Sequence, residues 1–188
     1  MSSLFGLITA FGLSTAAGLN AYIPLLIVAV LGRLEVLHLS KPYDVLTSWP
    51  VIIVLGALLL IEFTVDKIPG VDHVNDVVQT IVRPAAGAIL FASSAGVIYG
   101  IDPAIALALG LVAALGMHGA KAAVRPLVNV GTMGIGAPFM SIAEDIVSVL
   151  GTVLAVFAPL LFVVFAVLIG VAVFRVARRM RNKLVQRT

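Results

Sequence analysis

Three basic side chains at the end of a long apolar run are the residues of this sequence whose types and spacing could bind a ligand. The stretch "GMHGAKAAVRPLVN", residues 116–129, follows "PAIALALGLVAAL", which carries no charge. On an α-helix, His118, Lys121 and Arg125 share one face, and Asn129 continues it. Such a face could bind an anion. In a straight helix, however, Lys121 and Arg125 would lie about 27 and 33 Å along the run, where their long side chains reach the membrane interface.

These cations therefore have two interpretations, an interfacial anchor and a substrate site. A helix break at Gly116 or Gly119 would draw them inward to bind an anion, and three aligned basic groups exceed what anchoring requires. The stretch "GLNAYIPLL" aligns with "AKAAVRPLV" when Pro24 is placed under Pro126. This alignment suggests the hypothesis of an inverted repeat, an arrangement that is common in secondary transporters. Under this hypothesis, Asn20 belongs to the substrate site.

Two pairs of acidic residues could face these cations. Glu62 and Asp66 are four residues apart, so they share a helix face, and Glu144 and Asp145 stand at the start of the last apolar segment. One interpretation is structural: ion pairs, with Glu144 completing a capping box with Ser141. The other is a polar cluster that couples transport to protons or ions.

The composition is that of an all-α membrane protein. Of 188 residues, 61% are hydrophobic and 11% charged, and the mean hydropathy is +1.18, whereas soluble domains have roughly 25% charged residues. Unbroken runs of Leu, Val, Ile and Ala favour helices over barrel strands. The net charge of +3 comes from basic residues in the tail, 174–188. This tail predicts a cytoplasmic C-terminus, with membrane lipids rather than nucleic acid as partners.

The apolar runs predict about five transmembrane segments in a single domain, residues 1–188. The first, 4–32, is expected to break between Ser14 and Asn20. The fourth, which contains the basic stretch, is also expected to break or re-enter the membrane. Segments one and four either both cross, with an outer N-terminus, or both re-enter, and charge bias does not choose between these topologies.

The remaining segments are predicted from their polarity patterns. The second span begins at Pro50, after a polar connection, and the third runs from Pro84 to Gly100. Between them, "VDHVNDVVQTIVR" predicts an amphipathic helix on the membrane surface. The last span is predicted as one long helix, kinked at Pro159. The solvated face of the surface helix would carry Asp72, Asp76, Gln79 and Arg83.

The sequence lacks the motifs of common enzymes. It contains no HExxH zinc site, no GxSxG nucleophile elbow and no GxxxxGK[ST] phosphate loop. It also contains no cysteine, which excludes disulfides and thiolate chemistry. We therefore expect no catalysis, no metal and no cofactor.

Several of these stretches together resemble a known family of bacterial integral membrane proteins, domain of unknown function 4126. The resemblance covers most of the chain and implies a membrane location without a substrate. The stretches that carry it are "TAAGLNAYIPLL", "EFTVDKIPGVDHVNDVVQTIVRPAAGA", "HGAKAAVRPLVN" and "SIAEDIVSVLGTVLAVFAPLL".

The leading functional hypothesis is a small transporter or channel-like carrier for a small solute or anion. Homo-oligomerisation and coupling to protons are parts of this hypothesis. In it, Lys121 and Arg125 bind the substrate, and carboxylates such as Glu62 carry the coupling proton. A second hypothesis is lipid handling, in which the basic residues bind the phosphate of a phospholipid or polyprenyl phosphate. A third is a non-catalytic membrane scaffold, whose mark would be an interior without a cavity at Lys121.

Overall fold

The structure, a computed structural model, describes residues 2–65, 72–94, 101–132 and 136–185. Within these ranges the chain forms seven α-helices, a short 3-10 helix at Tyr43–Thr47 and no strand. The all-α fold class is therefore confirmed. The helices are α1 (Ser2–Leu19), α2 (Tyr22–Arg33), α3 (Trp49–Val65), α4 (Asp72–Ser94), α5 (Pro103–Thr132), α6 (Ala137–Phe157) and α7 (Pro159–Val185).

Helix α1 lies at the centre, packed against α4, α5 and α6. Small residues permit this, because they let helix backbones approach closely. A Cβ on Gly110 would overlap the carbonyl oxygen of Gly87, and a Cβ on Gly87 would overlap the Cβ of Ala114. The buried Ser14 hydroxyl lies 2.8 Å from the carbonyl oxygens of both Ala10 and Gly87. The first and fourth helices are thus joined by a polar contact as well as by packing.

The first apolar segment is a tight hairpin of two helices. Helix α1 ends at Leu19 and α2 begins at Tyr22, so the predicted break lies at Asn20 and Ala21. Helix α2 returns beside α1, because Val28 lines the same cavity as Leu13.

Helices α6 and α7 form a second hairpin, which corrects the prediction of one long helix kinked at Pro159. The two helices are separated at Ala158. A Cβ on Gly151 of α6 would lie 3.7 Å from the ring of Phe165, although the two residues would be about 21 Å apart in a continuous helix. The physical reason is that Pro159 cannot donate the backbone hydrogen bond that would continue α6.

The bundle has two distinguishable ends. At one, the Trp49 end, the start of α1, the end of α4 and the α6–α7 turn meet around a cavity of about 230 Å³. Trp49 is exposed there and stacks with Arg33, whose guanidinium carbon is 5.3 Å from the ring centre. At the opposite end, the tail end, α7 continues toward its exposed arginines Arg175, Arg178 and Arg179.

The outer surface of the bundle is apolar, as expected of a membrane protein. Three helical stretches are long and apolar enough to cross a bilayer: Val77–Ser94, Pro103–Pro126 and Pro138–Phe157. Shorter apolar helices occur in α1, α2, α3 and α7. Large aliphatic side chains such as Leu60 and Val112 are more than 60% exposed, and so continuous an apolar surface does not occur on soluble monomers.

The predicted surface helix is wrong in two respects. It is not separate from the third span, since α4 runs from Asp72 to Ser94 through Pro84. Its polarity is also reversed: Gln79 and Arg83 are fully buried, whereas Ile81 is 75% exposed. In a bilayer the apolar face turns outward to lipid and the polar face turns to the protein interior, opposite to the arrangement at a water surface.

Three other local predictions are corrected. Helix α5 is continuous past Gly116 and Gly119, so the fourth segment is not broken within its described residues. Helix α6 begins four residues before Ser141, with Gly136 at its N-cap and no side-chain cap, so Ser141 does not cap it. The repeat is not supported either, because Pro24 follows a turn whereas Pro126 lies inside a helix.

Candidate functional site

Charged and polar side chains from five helices form one largely buried layer, which we call the polar layer. Its members come from the turn between α1 and α2, and from α2, α3, α4, α5 and α6. Within the described residues, the polar layer consists of Asn20, Tyr22, Glu62, Gln79, Arg83, His118, Lys121, Arg125, Glu144 and Asp145.

Helix lengths give the depth of the polar layer. Glu62 lies thirteen residues after Trp49, and Glu144 lies thirteen residues before Phe157. Each is therefore about 20 Å from the Trp49 end. Because the hydrocarbon core of a bilayer is roughly 30 Å thick, the layer would lie inside that core, nearer to the tail end.

One half of the polar layer is a carboxylate shared by two cations. The Lys121 Nζ lies 2.7 Å from Oε2 of Glu144, and the Arg125 Nη2 lies 3.1 Å from the same oxygen. Lys121 also donates a hydrogen bond to the carbonyl oxygen of Leu19, at 3.2 Å. This carbonyl belongs to the last residue of α1 and lacks a partner within its own helix, so the lysine satisfies a helix terminus as well as an anion.

Asn20 joins the turn of the first hairpin to this half. Its Oδ1 accepts hydrogen bonds from the backbone amides of Tyr22 and Ile23, at 3.0 and 3.1 Å. Its Nδ2 donates to Oδ1 of Asp145, at 2.9 Å. Asn20 therefore caps the start of α2 while it fixes the hairpin to α6.

The other half of the polar layer is centred on Arg83, which has no exposed surface. Its Nη2 lies 3.3 Å from Oε1 of Glu62, and its Nη1 lies 3.3 Å from Nδ1 of His118. Nε2 of His118 lies 3.3 Å from the hydroxyl of Thr80. Since an arginine only donates, Nδ1 of His118 must accept. This arrangement corresponds to the neutral imidazole tautomer with its proton on Nε2.

Several buried polar atoms of the polar layer lack well-formed hydrogen bonds. Gln79 is completely buried, and its amide faces the Tyr22 hydroxyl without a well-formed hydrogen bond. Nε of Arg83 and Oε1 of Glu144 also lack a partner. Unsatisfied groups of this kind are costly and often mark functional sites.

Most of the predicted site residues therefore do come together. His118, Lys121, Glu62 and Glu144 meet in one layer with Arg125, Asn20 and Asp145. Asp66 lies outside the described residues, and Asn129 lies in α5 without a described side chain.

Sequence reasoning missed Arg83 and Gln79, which it assigned to solvent. The available signal was the position of Arg83 directly before the apolar stretch "PAAGAILFASS". An arginine so close to a membrane span faces the protein interior unless it can reach the interface.

An apolar groove reaches the polar layer from the lipid-facing side. Its larger part has a volume of about 400 Å³ and lies between α1, α5, α6 and α7. A second part of about 200 Å³ shares Leu19, Met117 and Val147 with it and adds Lys121 and Glu144 to the lining. Lys121 is therefore part of the lining of a cavity.

The apolar helices and the buried ionisable layer together define an all-helical protein of membrane type. The matching family model is described as "Domain of unknown function (DUF4126)" and covers residues 7–179. The chain therefore belongs to this family, and the resemblance noted in its sequence is confirmed. No curated protein and no solved structure matches the chain.

Proposed function

We propose that the protein is a small membrane carrier for a small solute or anion, with the polar layer as its transport site. The observation that carries the proposal is the burial of ionisable groups from several helices around a helix break. Intramembrane charges are costly and usually mark pathways for ions or substrates. Discontinuous helices at substrate sites are a recurrent feature of secondary transporters.

Each half of the polar layer has a role in this proposal. Lys121 and Arg125 attract the transported anion. This anion takes the place of the Glu144 carboxylate, which pairs with both cations when no substrate is bound. In the other half, the salt bridge between Glu62 and Arg83 would respond to protons, because protonation of Glu62 would release Arg83. Coupling to protons through Glu62, Glu144 or Asp145 follows from this arrangement, and Asp66 remains a candidate from its spacing.

A topology belongs to the same proposal. Helix α2 has 12 residues, about 18 Å of helix, which is too short to cross a core of roughly 30 Å. We assign the α1–α2 hairpin as re-entrant from the Trp49 side and α3 to α7 as five crossings. The basic tail then places the tail end in the cytoplasm of the bacterial inner membrane. A homo-oligomer is compatible with the apolar outer faces.

The test is anion flux into proteoliposomes, with chloride, nitrate, acetate and phosphate as probes under an imposed pH gradient. We expect uptake of at least one anion, with a loss of about tenfold or more in Lys121→Gln and Glu62→Gln. Lys41→Gln and Glu35→Gln remove exposed charges outside the polar layer and should keep wild-type flux. The absence of flux for every probe, or equal flux in Lys121→Gln and Lys41→Gln, would refute the carrier.

A further inference from the structure

The groove between α5, α6 and α7 has the dimensions of a site for one lipid chain. It extends from Met140 to Gly151 along α6, eleven residues or about 16 Å. Half of a core roughly 30 Å thick is about 15 Å, so the groove is about as long as one leaflet is deep. Its lining is almost entirely aliphatic and aromatic until it reaches Lys121 and Glu144.

The charged end of the groove favours an anionic headgroup. Lys121 and Arg125 both bond the same oxygen of Glu144, so two cationic side chains converge at this end of the groove. The neighbouring Asp145 carboxylate is bonded to Asn20, on the first hairpin.

Helix α7 adds further positive charge at the same end. Phe174 lines the groove, and Arg178 follows it by one helical turn on the same face. Arg178 is exposed, as are Arg175 and Arg179. Exposed arginines beside a membrane span attract anionic lipids.

A carboxylate oxygen of Glu144 indicates a second property of the headgroup. Glu144 is 6% exposed and lines the groove, and its Oε1 has no hydrogen-bond partner among the described residues. A buried carboxylate oxygen of this kind requires a donor. A hydroxyl group on the lipid headgroup would supply it, while the lipid phosphate contacts the arginines.

From these features we infer that the groove binds an anionic phospholipid with a hydroxylated headgroup, from the leaflet at the tail end. One acyl chain lies along α6 and α7, the phosphate lies at Arg125 and Arg178, and a headgroup hydroxyl donates to Glu144. The inference does not rest on solute transport, because lipid retention is measured without any flux.

Native mass spectrometry of the purified protein tests the site, with phosphatidylglycerol and phosphatidylcholine of identical chains as probes. We expect wild type to retain phosphatidylglycerol in preference to phosphatidylcholine. Arg178→Gln should lower that preference about fivefold, since an arginine near an anionic surface contributes about 1 kcal/mol. Arg33→Gln removes an exposed arginine at the Trp49 end and should leave the preference unchanged.

Two glycines test the groove itself. Gly170 lines the groove and has open space where a Cβ would be, so the side chain of Gly170→Leu can start into the groove without a backbone clash. Gly56 in α3 is equally open and lies outside the groove. We expect Gly170→Leu to lose most retained lipid and Gly56→Leu to retain the wild-type amount.

Two results would overturn the inference. One is wild-type protein that retains both lipids equally, and the other is unchanged retention in folded Gly170→Leu. If Gly170→Leu does not give a monodisperse protein, Gly170→Ala replaces it and should show a smaller loss in the same direction. Failure of the flux assay with normal lipid retention would refute the carrier alone.

Discussion

The shared carboxylate of Glu144 makes its removal more damaging than that of either cation. Glu144→Gln would remove the anion that Lys121 and Arg125 share and would leave the charge of the buried Lys121 without its carboxylate, which costs about 3–5 kcal/mol of stability. Lys121→Met would keep the pair of Arg125 and Glu144, and its main cost is the lost donor to the Leu19 carbonyl, about 1–3 kcal/mol. We therefore expect a larger fall in Tm for Glu144→Gln, measured by thermal unfolding in detergent.

The exposed residue Glu35 supplies the control for this comparison. Glu35→Gln removes the same charge from a connecting segment and should shift the Tm little, because surface substitutions usually change stability by less than about 0.5 kcal/mol. A Tm for Lys121→Met at or below that of Glu144→Gln would contradict the shared-carboxylate arrangement.

The hydrogen bonds of His118 predict its tautomer. Because Arg83 donates to Nδ1 and Thr80 provides an acceptor for Nε2, the ring should carry its proton on Nε2. Nitrogen-15 NMR of histidine-labelled protein distinguishes the two tautomers, with His118→Asn used to assign the signal. In Arg83→Gln this constraint is lost, and the ring is free to exchange between tautomers. A wild-type His118 protonated on Nδ1 would exclude the contact with Arg83.

At the scale of residues, the sequence indicates which side chains share a helix face, but it does not indicate which partners on other helices they contact. The spacing of His118, Lys121 and Arg125 correctly predicted a common helix face. It did not predict that this face divides between two partners, Arg83 and Glu144. That division depends on which helices pack against α5, and hydrophobic periodicity does not specify the neighbours of a helix.

At the scale of helices, close packing among α1, α4 and α5 predicts opposite effects for two glycines of the same helix. A Cβ on Gly110 would overlap the backbone of α4, whereas a Cβ on Gly116 meets nothing within 4 Å. Gly110→Ala should therefore destabilise the protein by about 1–3 kcal/mol through overpacking. Gly116→Ala should stabilise it by about 0.5–1 kcal/mol through higher helix propensity.

Thermal unfolding in one detergent measures both variants. The expected result is a lower Tm for Gly110→Ala and an equal or higher Tm for Gly116→Ala. Equal shifts in the same direction would show that helix propensity alone governs both positions and that α4 and α5 are not in close contact at Gly110.

Helix termini illustrate what local sequence does and does not determine. Proline and polar residues correctly indicated interruptions near Asn20 and Pro159. The sequence could not show that the chain reverses at both points, since a proline is compatible with a kink or a turn. The reversal at Pro159 is evident only from contacts across the turn, such as the 3.7 Å between a Cβ on Gly151 and the ring of Phe165.

At the scale of the whole molecule, composition was enough to predict an all-α protein with membrane-type helices. The inverted repeat failed, because similar apolar stretches around Pro24 and Pro126 have different structures. In apolar sequence, small residues and aliphatics recur at many spacings, so a short alignment carries little information about packing. The prediction that the polar face of α4 meets water was wrong for a related reason. The hydrophobic pattern shows that a helix has a polar and an apolar face, but it does not show whether each face meets water, lipid or protein.

The number of crossings between the two ends of the bundle gives the last prediction. With α3 to α7 as five crossings, Lys41 and Arg179 lie on opposite sides of the membrane, whereas a single span in place of α6 and α7 would put both on one side. Because the chain contains no cysteine, Lys41→Cys and Arg179→Cys each introduce one labelling site, and both positions are exposed. A membrane-impermeant maleimide should label Lys41→Cys in intact cells and Arg179→Cys only after permeabilisation. Glu35→Cys is the control, because Glu35 lies in the same connection as Lys41 and should be labelled from the same side. Labelling of Lys41→Cys and Arg179→Cys from one side would refute the assignment of α6 and α7 as two separate crossings.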